Sequence, residues 1–140
     1  MPRLHADELA PSGGAELAAS IGAASADHLA TPSDEGVAAL SLAAPSEAPV
    51  VATLLPITTW FLMKPHHAPA RRFIEAGVPV AVGTDFNPGT SPSPNLALAM
   101  SMAVVNLGLS PDEALAAVTI NAARALLLDD EIGSLEAGKA

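Results

Sequence analysis

Val50-Val51-Ala52-Thr53-Leu54-Leu55-Pro56, residues 50–56, is the stretch on which the fold turns. Its β-rich start and nearly unbroken apolar run suit a parallel strand covered on both faces. Pro56 has no N–H for a sheet ladder and stops the run. A second strand of this kind is read from Val78 to Thr84, and Asp85 follows it. Towards the N-terminus, Ser25 to Leu29 reads as a short strand with Asp27 and His28 at its end, and residues 3–5 as the tail of another ending in His5. Helical segments separate them. Ala15 to Ile21 is closed by Gly22, and Ala70 to Ala76 by Gly77. Thr31-Pro32-Ser33-Asp34 opens a helix with Thr31 as the capping hydroxyl, Pro32 in the first turn and an apolar stripe at Val37 and Leu40. A Pro/Ala-rich connection runs from Ala43 to Pro49. After a Pro/Gly/Ser loop from Asn87 to Pro94, an apolar helix spans Leu96 to Leu107. Ser110-Pro111-Asp112-Glu113 has capping-box spacing for a helix to about Val118. A short helix covers Asn121 to Leu128, and Gly133 to Lys139 is irregular chain. Four strands alternating with helices define an α/β fold with a parallel sheet.

Composition narrows the function. The chain has 140 residues, enough for one ordinary domain, with 6 Lys+Arg against 15 Asp+Glu and a net charge of −9. It has no basic surplus for phosphates or for anionic membranes, so neither nucleic acid nor membrane is an expected partner. With no Cys, disulfide scaffolds and thiolate metal sites are excluded. Half the residues are hydrophobic, but 30 of them are Ala. The longest apolar-leaning stretch, Leu96 to Leu109, is broken by Ser101, Asn106 and Gly108 and is too short for a membrane span. Met1 to Glu8 lacks the apolar segment of a signal peptide.

The polar residues with chemistry to offer sit at strand ends. His5 and His28 are 23 residues apart, one compact βα unit; His28 and Asp85 are 57 apart, two units. All three can therefore project from the C-terminal rim of one parallel sheet, where such folds carry their sites. Neutral imidazole with carboxylate suits Zn²⁺ or a similar divalent ion, which makes hydroxide available near neutral pH. In the following loop Asn87 offers an amide, Gly89 permits close backbone approach, and Thr90 and Ser91 add hydroxyls before a helix. A plain strand-to-helix turn accounts for the same residues. His66 and His67 read as a solvated loop pair, Trp60 and Phe61 as packing against the rim or a helix face, and Met100 and Met102 as core filler.

Several segments together carry a resemblance. His5-Ala6-Asp7-Glu8, Gly13-Gly14-Ala15-Glu16-Leu17-Ala18, Ser25-Ala26-Asp27-His28-Leu29, Leu54-Leu55-Pro56, Thr84-Asp85-Phe86-Asn87-Pro88-Gly89-Thr90-Ser91-Pro92 and Thr119-Ile120-Asn121-Ala122-Ala123-Arg124 resemble the imidazolonepropionase family of the amidohydrolase superfamily. Gly133-Ser134-Leu135-Glu136-Ala137-Gly138-Lys139 is similar to that superfamily's lead into its final β-sandwich strands.

The resemblance implies a partial TIM-like (β/α)8 barrel, about strands five to eight with their helices. Residues 1–128 would be the second half of the barrel, and 129–140 the start of the return to a small β-sandwich domain. It implies a cytoplasmic enzyme hydrolysing the cyclic amide 4-imidazolone-5-propanoate to N-formimidoyl-L-glutamate in histidine degradation, with one Zn²⁺ or Fe ion. By motif, His5 and Asp85 match metal ligands, Asp85 being also the base. His28 matches a residue that assists polarisation, Glu8 a substrate-contacting residue, and Asn87, Gly89 and Thr90 positions that hold substrate or product. The family's His-x-His of the first strand has no counterpart here. A full barrel takes about 250 residues, so the expectation is a half whose activity belongs to a complete chain, with weak or no metal retained alone. The partner is then the missing N-terminal half, with a homo-oligomer also open. Alternatives are an inactive or complementing half-barrel that binds a partner, and another amidohydrolase acting on a cyclic amide or nucleobase.

Overall fold

Short apolar runs separated by helices produce the expected sheet. The computed structural model describes residues 1–46 and 48–140. Strands β1 (Arg3–Ala6), β2 (Ser25–His28), β3 (Val51–Leu54) and β4 (Val80–Val82) pair in parallel in the order β1-β2-β3-β4. The helices are α1 (Gly14–Ser20), α2 (Asp34–Ala43), α3 (Pro56–Phe61), α4 (Ala70–Glu75), α5 (Leu96–Leu107), α6 (Pro111–Val118) and α7 (Ile120–Leu126).

The register divides side chains between two faces, because successive residues of a strand point oppositely. Leu4, Ala26, Ala52 and Val80 form one row, and Ala6, Leu54 and Val82 belong to another on the same face. These residues join Ala15 and Ala18 of α1, Leu40 of α2, Phe73 of α4 and Ala103 of α5 in the main core. Each large side chain fully buried there, such as Leu40 or Phe73, contributes roughly 1.5–3 kcal/mol. Alanines fill much of the remainder and let helices lie close to the sheet.

The opposite face carries Arg3, His5, Ser25, Asp27 and Thr53, which line one pocket. Its lower end is closed by α7. Ala122 and Ala125 pack on Val51 and Ala81, Asn121 Nδ2 donates to the Val80 carbonyl at 2.9 Å, and Arg3 Nε donates to the Ala125 carbonyl at 3.1 Å. One face is thus a dry core under helices, and the other is polar above an apolar floor. Beyond α7 the chain turns back, with Lys139 Nζ donating to the Asp129 carbonyl at 2.6 Å and to Ser134 Oγ at 2.9 Å.

Several expectations are adjusted. The cap of α2 is Ser33, whose hydroxyl accepts from Gly36 N at 2.8 Å, not Thr31. Thr31 is drawn away because its hydroxyl and N–H both donate to the Asp7 carbonyl, each at 2.9 Å. Pro56 ends the strand and also begins α3, where its missing N–H costs nothing at the first helical position. Trp60 and Phe61 ride on that helix and are largely exposed. The Ala43 to Pro49 connection includes Glu47, which lies outside the described residues. The Ser110–Glu113 capping box forms as read, and α5 has the expected limits. Among the described residues no helix is long and apolar enough to cross a membrane.

Gly14 is fixed by packing at the start of α1. A Cβ there would lie 2.8 Å from Ala6 Cα and 2.9 Å from Ala6 Cβ, against rigid strand backbone. Gly14→Ala is expected to destabilise the chain by about 1–3 kcal/mol despite alanine's helix propensity. Urea unfolding of the two proteins checks this; an unchanged midpoint would show that β1 and α1 separate freely.

Candidate metal centre

Three of the four strands leave the sheet through a left-handed residue. Asp7 has φ 47°, His28 φ 72°, Leu29 φ 50° and Asp85 φ 50°. Asp and His tolerate this region better than most residues, yet each position costs on the order of 1 kcal/mol, and such residues gather at functional sites. Here the conformation redirects His28. By alternation its row, with Ala6 and Leu54, belongs to the helix-covered face. Leaving β2 with positive φ, its ring instead reaches His5 across the strand ends: His5 Nδ1 and His28 Nε2 are 2.9 Å apart.

Glu8 completes a group with them. Its Oε2 stands 3.7 Å from His28 Nε2, and one ligand atom from each of His5, Glu8 and His28 lies within 4.8 Å of the others. Two imidazoles and a carboxylate are the donors a divalent ion such as Zn²⁺ takes in catalytic sites, so these residues fit a metal. His28 is buried, Glu8 half-buried and His5 exposed, which leaves an open approach. Burial, the largest influence, pushes the His28 pKa below its ordinary value. Glu8 and Asp85 pull it upward, and His5 adds to the depression. The neutral ring, which is the form that binds metals, is thereby favoured.

Asp85 lines the same pocket as His5, Asp27 and Thr53 but stands outside the three-residue group. Thr58 Oγ1, from α3, donates to its Oδ2 at 2.7 Å. The loop beyond it is organised around Asn87. The Asn87 amide nitrogen donates to the Asp85 carbonyl at 2.7 Å and to Thr90 Oγ1 at 2.9 Å, while its oxygen accepts from Gly89 N at 2.9 Å and Thr90 N at 2.8 Å. Ser91, fully buried, ties the loop back to the Thr84 carbonyl at 2.5 Å. Asn87, Gly89 and Thr90 thus bond one another and form a closed turn behind Asp85. His66 is exposed, and His67 Nε2 lies 3.3 Å from the Asn106 amide, away from these residues.

Thr58, which holds Asp85, and Asp7, which holds the loop carrying Glu8, were not singled out by the sequence reading. Pro56 stops the strand and also opens a helix, and the second of these roles is what places Thr58 in the first turn at the rim. Asp7 sits inside the quoted His-Ala-Asp-Glu segment, and its buried carboxylate gathers the loop ahead of α1. Oδ1 accepts from Ser12 N at 2.7 Å, Ser12 Oγ at 3.0 Å and Gly14 N at 3.2 Å, and Oδ2 accepts from Ala15 N at 3.0 Å. Burial works to raise its pKa, and these bonds together overcome it, so the carboxyl stays below its ordinary value.

A parallel β/α sheet with helices outside and a metal-type donor group at its C-terminal rim is part of a TIM-like barrel. Comparison with known proteins agrees. The amidohydrolase family profile matches residues 16–140. The imidazolonepropionase of Geobacillus sp. (strain WCH70) is 53% identical over 139 residues, 99% of this chain and 31% of the relative. That of Geobacillus thermodenitrificans is 54% identical over 138 residues, again 99% and 31%. Among solved structures, a zinc-bound adenosine deaminase from Xanthomonas campestris superposes with a TM-score of 0.74 at 22% identity, covering 99% of this chain and 35% of that one. Guanine deaminase from E. coli gives 0.69 at 23%, covering 82% and 26%. The chain belongs to the amidohydrolase family. It spans about 31% of the length of the imidazolonepropionases it matches.

The depressed His28 pKa has a measurable consequence. The unfolded chain takes up a proton on this ring near 6.5, before the folded chain does, so the unfolded state binds more protons as pH falls from there. The stability tied to neutral His28 is complete above about 6.5 and declines as pH falls towards the lower folded value. Asp7 acts only near and below 3.8, outside this window. The thermal midpoint of the metal-free chain is therefore expected to fall between about pH 7 and about pH 5, and His28→Asn to flatten that fall. Midpoints measured by circular dichroism across this range decide it; a level wild-type curve contradicts the expectation.

Proposed function

We propose that this chain supplies the strand-five-to-eight half of a metal-dependent imidazolonepropionase. In that role it hydrolyses 4-imidazolone-5-propanoate to N-formimidoyl-L-glutamate, in the cytoplasm, as a step of histidine degradation. The observation that carries this reading is 53% identity along 99% of the chain to enzymes of that name. Residues 1–128 are the barrel half in this reading, and 129–140 start the return to a β-sandwich. The rest of such a barrel supplies the remaining metal ligands.

The chain by itself offers the donor group of His5, Glu8 and His28, whereas in the complete barrel His5 and Asp85 would hold the ion, Zn²⁺ or Fe. When bound, it supplies Lewis-acid polarisation of the ring amide and an acidified water. The chain's own residues do the rest. Thr58 holds Asp85 by Oδ2, which leaves Oδ1 to take the proton of the attacking water. Asp85 then returns that proton to the ring nitrogen as the amide C–N bond breaks. Glu8 accepts from an N–H of the imidazolone ring, and neutral His28 helps polarise the carbonyl under attack. The turn of Asn87, Gly89 and Thr90 bounds the space for the rest of the substrate and keeps Asp85 at the rim.

The test is a chimera in which residues 1–140 replace the matching segment of the Geobacillus sp. enzyme. It is assayed with 4-imidazolone-5-propanoate, and with guanine and adenosine as competing substrates. Turnover of the imidazolone alone is expected, with Asp85→Asn slowing it about 10²–10⁴-fold, as loss of a general base does. A folded, metal-loaded chimera inert towards the imidazolone, or active on guanine, would overturn the assignment.

A further inference from the structure

We propose that Asp7 is a positioning residue: its buried carboxylate holds the Glu8–Gly14 loop in the arrangement that sets Glu8 against His28. This rests on reading His5, Glu8 and His28 as one functional group.

The geometry converges on Asp7 from three directions. Its carboxylate collects two N–H groups and a hydroxyl on Oδ1 and a third N–H on Oδ2, all from Ser12, Gly14 and Ala15. That joins the far end of the loop to its beginning and anchors the first turn of α1. Its carbonyl accepts twice from Thr31, which lies beyond β2 and three residues past His28. Its own backbone is left-handed and turns the chain off β1. Asp7 is 2% exposed, so water does not readily replace a lost bond.

Glu8 is the next residue, and its carboxylate makes no hydrogen bond of its own among the described residues, only the 3.7 Å approach to His28. Its place is therefore set by the backbone that carries it, and Asp7 fixes that backbone relative to both β1 and the exit of β2. An asparagine of the same size cannot do this. Its amide nitrogen must face either Ala15 N–H or the Ser12 and Gly14 N–H groups, donor against donor.

The experiment uses the 140-residue chain with Asp7→Asn, Glu8→Gln and the double variant. Hydrogen exchange reports the loop, competition titration reports Zn²⁺ affinity, and NMR reports the His28 ring protons. In Asp7→Asn, the amides of Ser12, Gly14 and Ala15 should lose protection while those of Val51–Leu54 keep it. Zn²⁺ affinity should drop about tenfold in each single variant, as for a residue that orients a metal ligand, and no further in the double. An Asp7→Asn chain that loses loop protection but keeps its Zn²⁺ affinity overturns the proposal, as do additive losses in the double variant. If the wild-type chain takes up no Zn²⁺, as a half-barrel short of ligands would not, the His28 signals decide. Equal displacement by Asp7→Asn and Glu8→Gln supports the positioning role; wild-type signals in Asp7→Asn reject it. Should Asp7→Asn not fold, Ser12→Ala, which removes a single bond to the same carboxylate, should give a smaller loss in the same direction. No change there counts against it.

Discussion

Everything at the rim depends on how the chain leaves its strands. A strand only three or four residues long has little room to aim a side chain, and alternation sends every second one into the helix-covered core. His28 falls in a core row by register, yet its ring meets His5 because the backbone turns left-handed there. The turn is strained for a histidine followed by another left-handed residue, Leu29. Burial of Leu29 and the Leu29 N–H bond to the Ala6 carbonyl hold it in place. The site thus draws its geometry from the hydrophobic effect at one remove: the core fixes Leu29, Leu29 fixes the turn, and the turn delivers His28.

The same dependence explains what the sequence disclosed. Residues whose structure is local were legible. The Leu96–Leu107 helix and the Ser110–Glu113 capping box follow from propensity and cap chemistry within a few residues. His5, His28 and Asp85 were recognisable as rim residues because each stands at or near the end of a readable strand, although His5 lies one residue inside β1. Long-range competition was not legible. Thr31 and Ser33 are equally good caps on paper, and Thr31 loses the role only because Asp7, 24 residues earlier, claims its hydroxyl. The grouping of Glu8 with His5 and His28, and of Thr58 with Asp85, joins elements whose proximity the register creates. The Asn87 amide, read as open to a ligand, is engaged within its own turn, which spacing alone does not show.

Alanine-rich composition sets the terms on which such a site is built. Small side chains allow α1 to lie so close to β1 that Gly14 nearly touches Ala6, but they bury little area apiece. A core of this kind stabilises the sheet without bulky groups to wedge the rim loops into place. Polar bonds do that work instead. The Asp7 carboxylate, the Asn87 amide and the Ser91 hydroxyl each satisfy backbone groups of a loop that carries or backs a rim residue. Asp7 and Ser91 are buried, where an unmet donor or acceptor costs about 1–3 kcal/mol, and Asn87 is half-buried, where the cost is smaller. That penalty, more than the modest net gain of any one bond, makes the loops discrete in their geometry. A half-formed Asp7 cage leaves N–H groups stranded, so the loop is either in place with Glu8 facing His28 or open to water altogether. Rigidity at the rim comes from the cost of intermediate arrangements. With so much of the core made of alanine, buried polar bonds rather than bulky apolar groups fix the loop that carries the Glu8 carboxylate.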